Sequence, residues 1–365
     1  MSVPFAERGG AVRGLLDVVS GRLPRFVFGG AVASTVLPAF HFHDVTPDDL
    51  EPQLRFLAEN GYATVTADEM AGFARGAFRF EGRRVALCFD DAWASLWTVA
   101  APLLKRHGLT AITYAIPARI EDADGCRPTM EDGVTGPSDP PFVTWPELRA
   151  LHVSGIVDVQ CHTESHSMVF CSDTVAGFVA PGYERLPMLN RPQLSPVPAL
   201  RFLEPTQLGA PLYAARSRMS DARRVAVPPE VQARLVDYVA REGGAGFFSR
   251  LDWEPQLLAM CRRTNGVELE SEADRDRSIE AELDRGRSML NDRLGTRTVN
   301  HVCLPWGVSS VRTAATVARM GYRSAIANRM PGLLAVRQGD DPYWLKRLPN
   351  RYLFHLPGRG RRLWI

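Results

Sequence analysis

The sequence predicts an α/β protein built around parallel strands, arranged as an open sheet or as a barrel. Apolar strand-like runs alternate with helix-like segments along most of the chain. Two of these runs also end in polar side chains: Asp90 and Asp91 follow 85–89, and His162 follows 156–161. Because parallel α/β folds place function at the C-terminal ends of their strands, these two ends are where we expect a site.

The first part of the chain gives the alternation its clearest form. Thr46 and Pro47 have the residue types of an N-cap and of the first helical position, and Gly61 is placed to end that helix. Thr144 and Glu147 form a capping-box pattern three residues apart. The predicted elements are strands at 37–43, 62–65, 85–91, 110–116 and 156–161, and helices at 47–60, 66–75, 95–107 and 144–153.

The alternation stops after the second polar strand end and returns about a hundred residues later. Between 168 and 272 prolines are frequent, and only 228–241 and 254–263 have a helical pattern. So long a stretch without strand–helix rhythm predicts an inserted lid or subdomain. The later elements are a charged helix at 274–294, strands at 299–304, 322–327 and 344–348, and a helix at 310–320.

Composition excludes several classes of protein and partner. The net charge is only +2, from 43 basic and 41 acidic side chains, and no basic stripe or motif suggests nucleic acid. No run is long and apolar enough for a transmembrane segment, and 1–25 lacks the core of a signal peptide. Six cysteines without a CxxC pair favour reduced thiols. We therefore expect a cytoplasmic protein, with peripheral membrane contact through 12–23 or 359–365 as an alternative. The oligomeric state is not predicted.

The two polar strand ends carry the side chains of a metal site. Two adjacent carboxylates repel each other unless a cation or a proton lies between them. His162 and His166 are four residues apart, a spacing that places two imidazoles on one side of a helical turn. Imidazole and carboxylate together suit zinc or a similar divalent ion. The residues alone do not divide the roles of Asp90 and Asp91.

Three segments carry a resemblance to the polysaccharide deacetylase family, also called carbohydrate esterase family four. Cys-Phe-Asp-Asp-Ala-Trp at 88–93 resembles the family's TFDDG motif, and His-Thr-Glu-Ser-His at 162–166 resembles its H[ST]xxH motif. Val-Cys-Leu-Pro-Trp-Gly at 302–307 resembles its RxPYG segment. The resemblance implies a distorted (β/α) barrel of about seven parallel strands. It covers 37–167 and 273–350, leaving 1–36 as an N-terminal extension, 168–272 as an insertion and 351–365 as a tail.

The same resemblance assigns roles to particular residues. It implies that Asp91, His162 and His166 hold one divalent ion, most simply Zn²⁺, and that Asp90 is the general base. The family has a glycine where this chain has Ala92, and an arginine that orients the base where this chain has Cys303. The residue that replaces this arginine is left open.

Further residues are assigned by position near the motifs or by chemistry. The nearest match to the family's catalytic histidine is His355. We also assign substrate-binding roles to residues near the strand ends and to one arginine of the insertion, since arginine suits anionic groups: His43, Trp93, Pro305, Trp306 and Arg218.

The predicted function is metal-dependent hydrolysis of a linear amide, which removes the N-acetyl group from an amino sugar or a sugar-containing precursor. One alternative is a deformylase or deacylase that acts on a small-molecule, nucleotide-linked or lipid-linked sugar. An alternative of another class is a catalytically inactive barrel that binds carbohydrate. The retained aspartates and histidines favour an enzyme, whereas the missing arginine favours the binding protein.

Overall fold

The computed structural model describes residues 11–363 except 134–135, 137, 196–199, 263–267 and 328–331. The chain divides into two compact units. Gly9–Ser165 and Glu280–Ile365 form the first, here called the barrel unit, and His166–Ile279 belongs to the second, here called the insertion unit. The sequence analysis predicts the boundaries of the insertion at 167/168 and 272/273, and it treats 1–36 and 351–365 as segments separate from the barrel.

The strands are mostly short, and the longest two are β4 and β7. In chain order they are β1 (Val36–Leu37), β2 (Ala39–Phe42), β3 (Tyr62–Thr64), β4 (Arg83–Asp91), β5 (Ala111–Ala115), β6 (Val157–Cys161), β7 (Met168–Phe178), β8 (Gln193–Ser195), β9 (Arg201–Phe202), β10 (Pro211–Ser217), β11 (Val225–Ala226), β12 (Glu268–Leu269), β13 (His301–Cys303), β14 (Ser324–Ile326), β15 (Val336–Arg337) and β16 (Leu348–Pro349).

The α-helices follow the sequence pattern closely. They are α1 (Ala11–Val19), α2 (Pro47–Glu59), α3 (Ala67–Ala74), α4 (Ala101–His107), α5 (Trp145–Ser154), α6 (Pro229–Arg241), α7 (Trp253–Arg262), α8 (Glu272–Leu294) and α9 (Val311–Arg319). In the described part of the chain, no helix combines the length and the apolar character needed to span a membrane.

The barrel unit is organised by a curled sheet of seven parallel strands, in the order β14-β13-β6-β5-β4-β2-β16, with β3 added beside β4. All of these pairings are parallel. Apolar side chains of this sheet are fully buried, among them Ala86, Cys88 and Ile112. The predicted distorted (β/α) barrel is thus confirmed, and the C-terminal ends of β4, β6 and β13 open on one edge of the sheet.

Local sequence signals explain where the helices of this unit begin and end. Thr46 caps α2 by accepting a hydrogen bond from the backbone N–H of Asp49 at 3.3 Å. Gly108 and Gly155 end α4 and α5 with φ of 64° and 70°, a left-handed conformation that glycine adopts without strain. These caps fix the lengths of the connections and therefore the positions of the strand ends that follow them.

The insertion unit has its own secondary structure and its own apolar core. Its main element is a long antiparallel pair of β7 and β10, which the sequence did not predict. The two helical patterns in this region are confirmed as α6 and α7. Phe178, Leu235 and Phe247 are buried together between the strand pair and the helices. A separate core of this kind is what an independently folded subdomain requires.

Candidate metal centre and active site

Asp90 and Asp91 are the last residues of β4, and both are buried. The strand pairs there with β5, since Asp90 lies opposite Tyr114. Directly afterwards the backbone turns sharply, with φ of 71° at Asp91 and 59° at Ala92. A left-handed conformation is strained for alanine and not for glycine, which explains why the family motif has glycine where this chain has Ala92. The turn lets two consecutive side chains face the same end of the barrel.

The segment His162–His166, here called the metal loop, begins where β6 ends. The backbone N–H of His162 donates to the carbonyl of Ala115 at 2.8 Å, which ties the loop to β5. The ring nitrogen Nδ1 of His162 lies 2.7 Å from the carbonyl oxygen of Cys303. Because a carbonyl oxygen only accepts, Nδ1 carries the proton and Nε2 is left as the ligand atom. Nε2 lies 3.4 Å from a carboxylate oxygen of Asp91.

The three residues assigned to the ion meet at this point. Asp91, His162 and His166 are buried, and each offers one ligand atom within 4.8 Å of the other two. Three residues separate His166 from His162 in the metal loop. Two ligands bound to one tetrahedral zinc at about 2.1 Å lie roughly 3.4 Å apart, so the separation of His162 and Asp91 fits such an ion.

Electrostatics at Asp91 also favour a cation. Burial raises the pKa of the Asp91 carboxyl, and the neighbouring Asp90 carboxylate adds to the rise. A divalent cation beside Asp91 would lower this pKa again, because it stabilises the ionised carboxylate. The indole N–H of Trp93 donates to Asp91 at 2.9 Å, and the ring stacks on Phe142 at a centroid distance of 4.7 Å. Trp93, assigned to substrate, therefore also orients the carboxylate that is assigned to the ion.

Asp90 is held by an arginine that sequence reasoning missed. Arg347 donates two hydrogen bonds to the two carboxylate oxygens of Asp90, each at 2.7 Å, and both side chains are buried. Burial by itself would raise the pKa of Asp90, but the charge and hydrogen bonds of Arg347 outweigh it and hold this pKa well below its usual range. Asp90 is therefore ionised and fixed in one orientation.

The position of Cys303 explains how this arginine fits. The Cys303 thiol lies 3.1 Å from a guanidinium nitrogen of Arg347. Because the side chain at the family's arginine position is small, it leaves room for an arginine that directly precedes β16. A buried carboxylate such as that of Asp90 needs a cationic partner, and this is a general reason to expect a basic side chain beside it. Nothing in the sequence indicated a residue 44 positions away.

A histidine lies beside the Asp90–Arg347 pair. His43 follows β2 and places Nε2 at 3.9 Å from a carboxylate oxygen of Asp90, with about half of its side chain exposed (52%). His41, two residues earlier, packs edge-on against it at 5.5 Å. Burial, with the positive charge of Arg347, lowers the pKa of His41 to about 3. His41 is therefore neutral near pH 7, and His43 is the accessible histidine of this pair.

The remaining assigned residues lie in other surroundings. His355 is buried, with Nδ1 at 2.6 Å from the carbonyl of Val27, and Nε2 has no hydrogen-bond partner in the described part of the chain. It is in hydrogen-bond contact with neither aspartate. Arg218 is buried in the insertion unit and forms two hydrogen bonds with Glu270. This guanidinium is thus committed to a carboxylate of its own unit.

Pro305 and Trp306 follow β13 at the same end of the sheet as the aspartates. Pro305 is buried, whereas Trp306 is partly exposed and has a left-handed φ of 56°. A cleft of about 360 Å³ also lies beside Trp93. Its wall includes Asp44, Ser95 and Pro141. Trp93 therefore lies between Asp91, to which its indole donates, and this cleft.

Comparison with known sequences agrees with the motifs. Residues 79–177 match the family model described as polysaccharide deacetylase. Poly-beta-1,6-N-acetyl-D-glucosamine N-deacetylase of Escherichia coli (strain K12) is 26% identical over 122 residues, which are 33% of this chain and 18% of that protein. The protein of the same name from Escherichia coli O157:H7 matches equally. The chain thus spans less than a fifth of the length of these curated relatives.

Solved structures give the same fold. The BpsB deacetylase domain from Bordetella bronchiseptica superposes with a TM-score of 0.54 at 16% identity, covering 87% of this chain and 97% of that one. A de-N-acetylase from Aggregatibacter actinomycetemcomitans has a TM-score of 0.51 at 15% identity, covering 86% and 93%. At these identities the likeness concerns the fold. The resemblance predicted from the motifs is therefore confirmed: over residues 79–177 the chain carries the sequence pattern of the polysaccharide deacetylase family.

Proposed function

We propose that this protein is a metal-dependent N-deacetylase that hydrolyses the acetamide of an N-acetylated amino sugar. The observation that carries the proposal is the pairing of two carboxylates with different partners. Asp91 faces His162 and His166, whereas Asp90 is held by Arg347. One carboxylate is thus available to an ion and the other to a proton, a division of roles that amide hydrolysis needs.

Zn²⁺ is the ion that we propose for the first group. Asp91, His162 and His166 would hold it through one oxygen and two nitrogens, a donor set that leaves a position open. When bound, such an ion supplies Lewis-acid polarisation and lowers the pKa of water toward neutrality. Trp93 and the carbonyl of Cys303 would keep two of these ligands in their orientations through their hydrogen bonds.

Asp90 would take the proton of the attacking water. Arg347 occupies one direction on each carboxylate oxygen, and each oxygen keeps a further lone pair for that proton. Amide cleavage also needs a proton for the leaving amine, because an amine leaves poorly as an anion. His43 is placed to deliver it, since its Nε2 lies 3.9 Å from Asp90 and its ring is open to solvent. The products are acetate and the free amino sugar.

The substrate class follows from the curated relatives and from the cleft. The E. coli relatives are named for N-deacetylation of poly-beta-1,6-N-acetyl-D-glucosamine. We propose a related N-acetylated sugar, as a polymer or as a precursor, for this chain. The cleft beside Trp93 would hold a sugar next to the one that reacts. Tryptophan suits such a site because its apolar face packs against a pyranose ring.

Metal content and acid release test the proposal together. We expect the purified protein to contain close to one zinc per chain and to release acetate from N-acetylglucosamine oligomers, with loss of release on chelation and recovery on zinc addition. Formate release from N-formyl substrates would indicate a deformylase instead. A zinc-loaded protein that binds the oligomers and releases no acid from any of them would contradict the proposal and favour a carbohydrate-binding barrel.

Two histidines compete for the role of proton donor, and their substitution separates them. We expect His43→Ala to lower kcat by about 10²–10⁴-fold with zinc content unchanged, because it removes the imidazole beside Asp90. We expect His355→Ala to lower the melting temperature and to leave kcat within a few-fold, because His355 contacts the Val27 carbonyl. A folded His355→Ala protein without turnover, beside an active His43→Ala protein, would reverse this assignment.

A further inference from the structure

The metal loop is an unfavourable piece of backbone. Thr163 and His166 have φ of 63° and 55°, and neither is glycine. Side chains of this type rarely adopt the left-handed conformation, and each such residue persists only where its surroundings hold it. The hydrogen bond of His162 to β5 fixes the first residue of the loop. The others need a further support if both histidines are to reach one ion.

Helix α8 supplies hydrogen bonds to the middle of the loop. The Glu282 carboxylate accepts from the backbone N–H of Ser165 at 3.0 Å and from its hydroxyl at 2.5 Å. The Glu282 backbone carbonyl accepts from the N–H of Glu164 at 3.0 Å. All three residues are buried and lie in the barrel unit. One glutamate thus binds two consecutive loop residues, with both its main chain and its side chain.

One turn further along the same face of α8, the helix backbone lies directly against the metal loop, with no side chain between the two. Gly286 is four residues after Glu282 and so shares its face of α8. A Cβ at position 286 would lie 2.8 Å from the backbone nitrogen of Glu164 and 2.9 Å from the Cys161 thiol. These separations are shorter than van der Waals contact, so only glycine lets the helix approach the loop this closely.

We propose that Glu282 and Gly286 position the metal loop, so that His162 and His166 meet Asp91 around one ion. Neither residue touches the reacting atoms, so both are positioning residues. Partners that orient metal ligands in this way change metal affinity by about 10–100-fold when they are removed. The inference rests on the ion site of the proposed function, and it adds to that site a support from a helix outside all three sequence motifs.

Zinc affinity is the direct test, because it needs no substrate. The zinc dissociation constant of the purified apoprotein is measured by competition with a chromophoric chelator for the wild type, Glu282→Ala, Glu282→Gln and Ser165→Ala. We expect Glu282→Ala to weaken zinc binding by at least about ten-fold, with Glu282→Gln and Ser165→Ala intermediate because each keeps part of the hydrogen bonding. Asp284→Asn is the control, because Asp284 is on the same helix and its side chain is mostly exposed. The zinc affinity of this variant should equal that of the wild type.

Thermal unfolding with and without zinc separates positioning from a purely structural role. A residue that only stabilises the fold lowers the melting temperature equally in both states, whereas a positioning residue also reduces the increase that zinc produces. The Gly286→Ala variant separates the effect on the helix from the effect on the loop. Alanine has a higher helix propensity than glycine and does not destabilise α8 by itself, so a lower zinc affinity of this variant would come from the contact of the new Cβ with the metal loop.

The outcomes can be distinguished. A wild-type apoprotein that binds no zinc would remove the proposed ion site itself. Wild-type zinc binding, with unchanged affinity in a folded Glu282→Ala or Glu282→Gln protein and in Gly286→Ala, would leave that site in place and overturn the positioning role.

Discussion

Asp90→Asn should reduce the turnover number by about 10²–10⁴-fold while the protein keeps its zinc. The substitution preserves shape but removes the group that takes the proton. It leaves the three residues assigned to the ion untouched. His162→Ala should lose zinc and turnover together, because it deletes a ligand atom. Elemental analysis and acetate release, measured on the same preparations, separate the two effects.

The Asp90 variant needs a check on folding. Arg347 is buried, and it loses the charge that compensates it when Asp90 becomes asparagine. Breaking a buried ion pair from one side costs about 3–5 kcal/mol, so the melting temperature should fall. The double variant Asp90→Asn with Arg347→Gln removes both charges, and we expect it to recover stability without recovering turnover. An Asp90→Asn protein as active as the wild type would refute the role of Asp90 as the base.

The parts of the site that could be predicted are those carried by neighbours in sequence. Asp90 follows an uninterrupted apolar run, and His162 follows the strand-like run 156–161, so the strand ends were visible without a structure. Their meeting follows from the rule that parallel strands share a C-terminal edge. The four-residue spacing of His162 and His166 was equally local, but the structure brings the two rings together on a loop with left-handed residues and not on the helical turn that the spacing suggested. Pattern and topology rules together were enough for these residues.

The parts that could not be predicted depend on contacts between distant segments. Arg347 falls in the strand predicted at 344–348, of which the structure keeps only β16, and it reaches Asp90 because β16 pairs with β2, a contact between distant segments. Glu282 is one of many acidic residues on a charged helix, and its burial against the metal loop is a tertiary fact. The β7–β10 pair contains register shifts, which hide the period-two alternation of a strand.

The arginine on Asp90 gives the second large effect. Arg347→Ala leaves a buried carboxylate without its cation and without a fixed orientation. We expect kcat to fall by about ten-fold to 10³-fold, in proportion to the loss of the correctly oriented base, with zinc content retained. Arg347→Lys should recover only part of this, because an ammonium keeps the charge but cannot form both hydrogen bonds of the guanidinium fork. Arg337→Ala, which removes a partly exposed arginine of β15, is the matched control and should be neutral.

Moving the arginine from position 347 to position 303 then distinguishes the orientation of Asp90 from general stabilisation of the fold. The Cys303 side chain points at the guanidinium of Arg347, with the thiol 3.1 Å away, so an arginine at 303 would compete for the same space. Cys303→Arg alone should therefore be inactive, since two buried guanidinium groups would share one carboxylate. Combined with Arg347→Ala, the same substitution places one arginine beside Asp90 again, and we expect kcat at least ten-fold above that of Arg347→Ala. If the combined variant is folded and binds zinc but is no more active than Arg347→Ala, a single guanidinium beside Asp90 is not sufficient, and the base depends on the particular approach of Arg347 from β16.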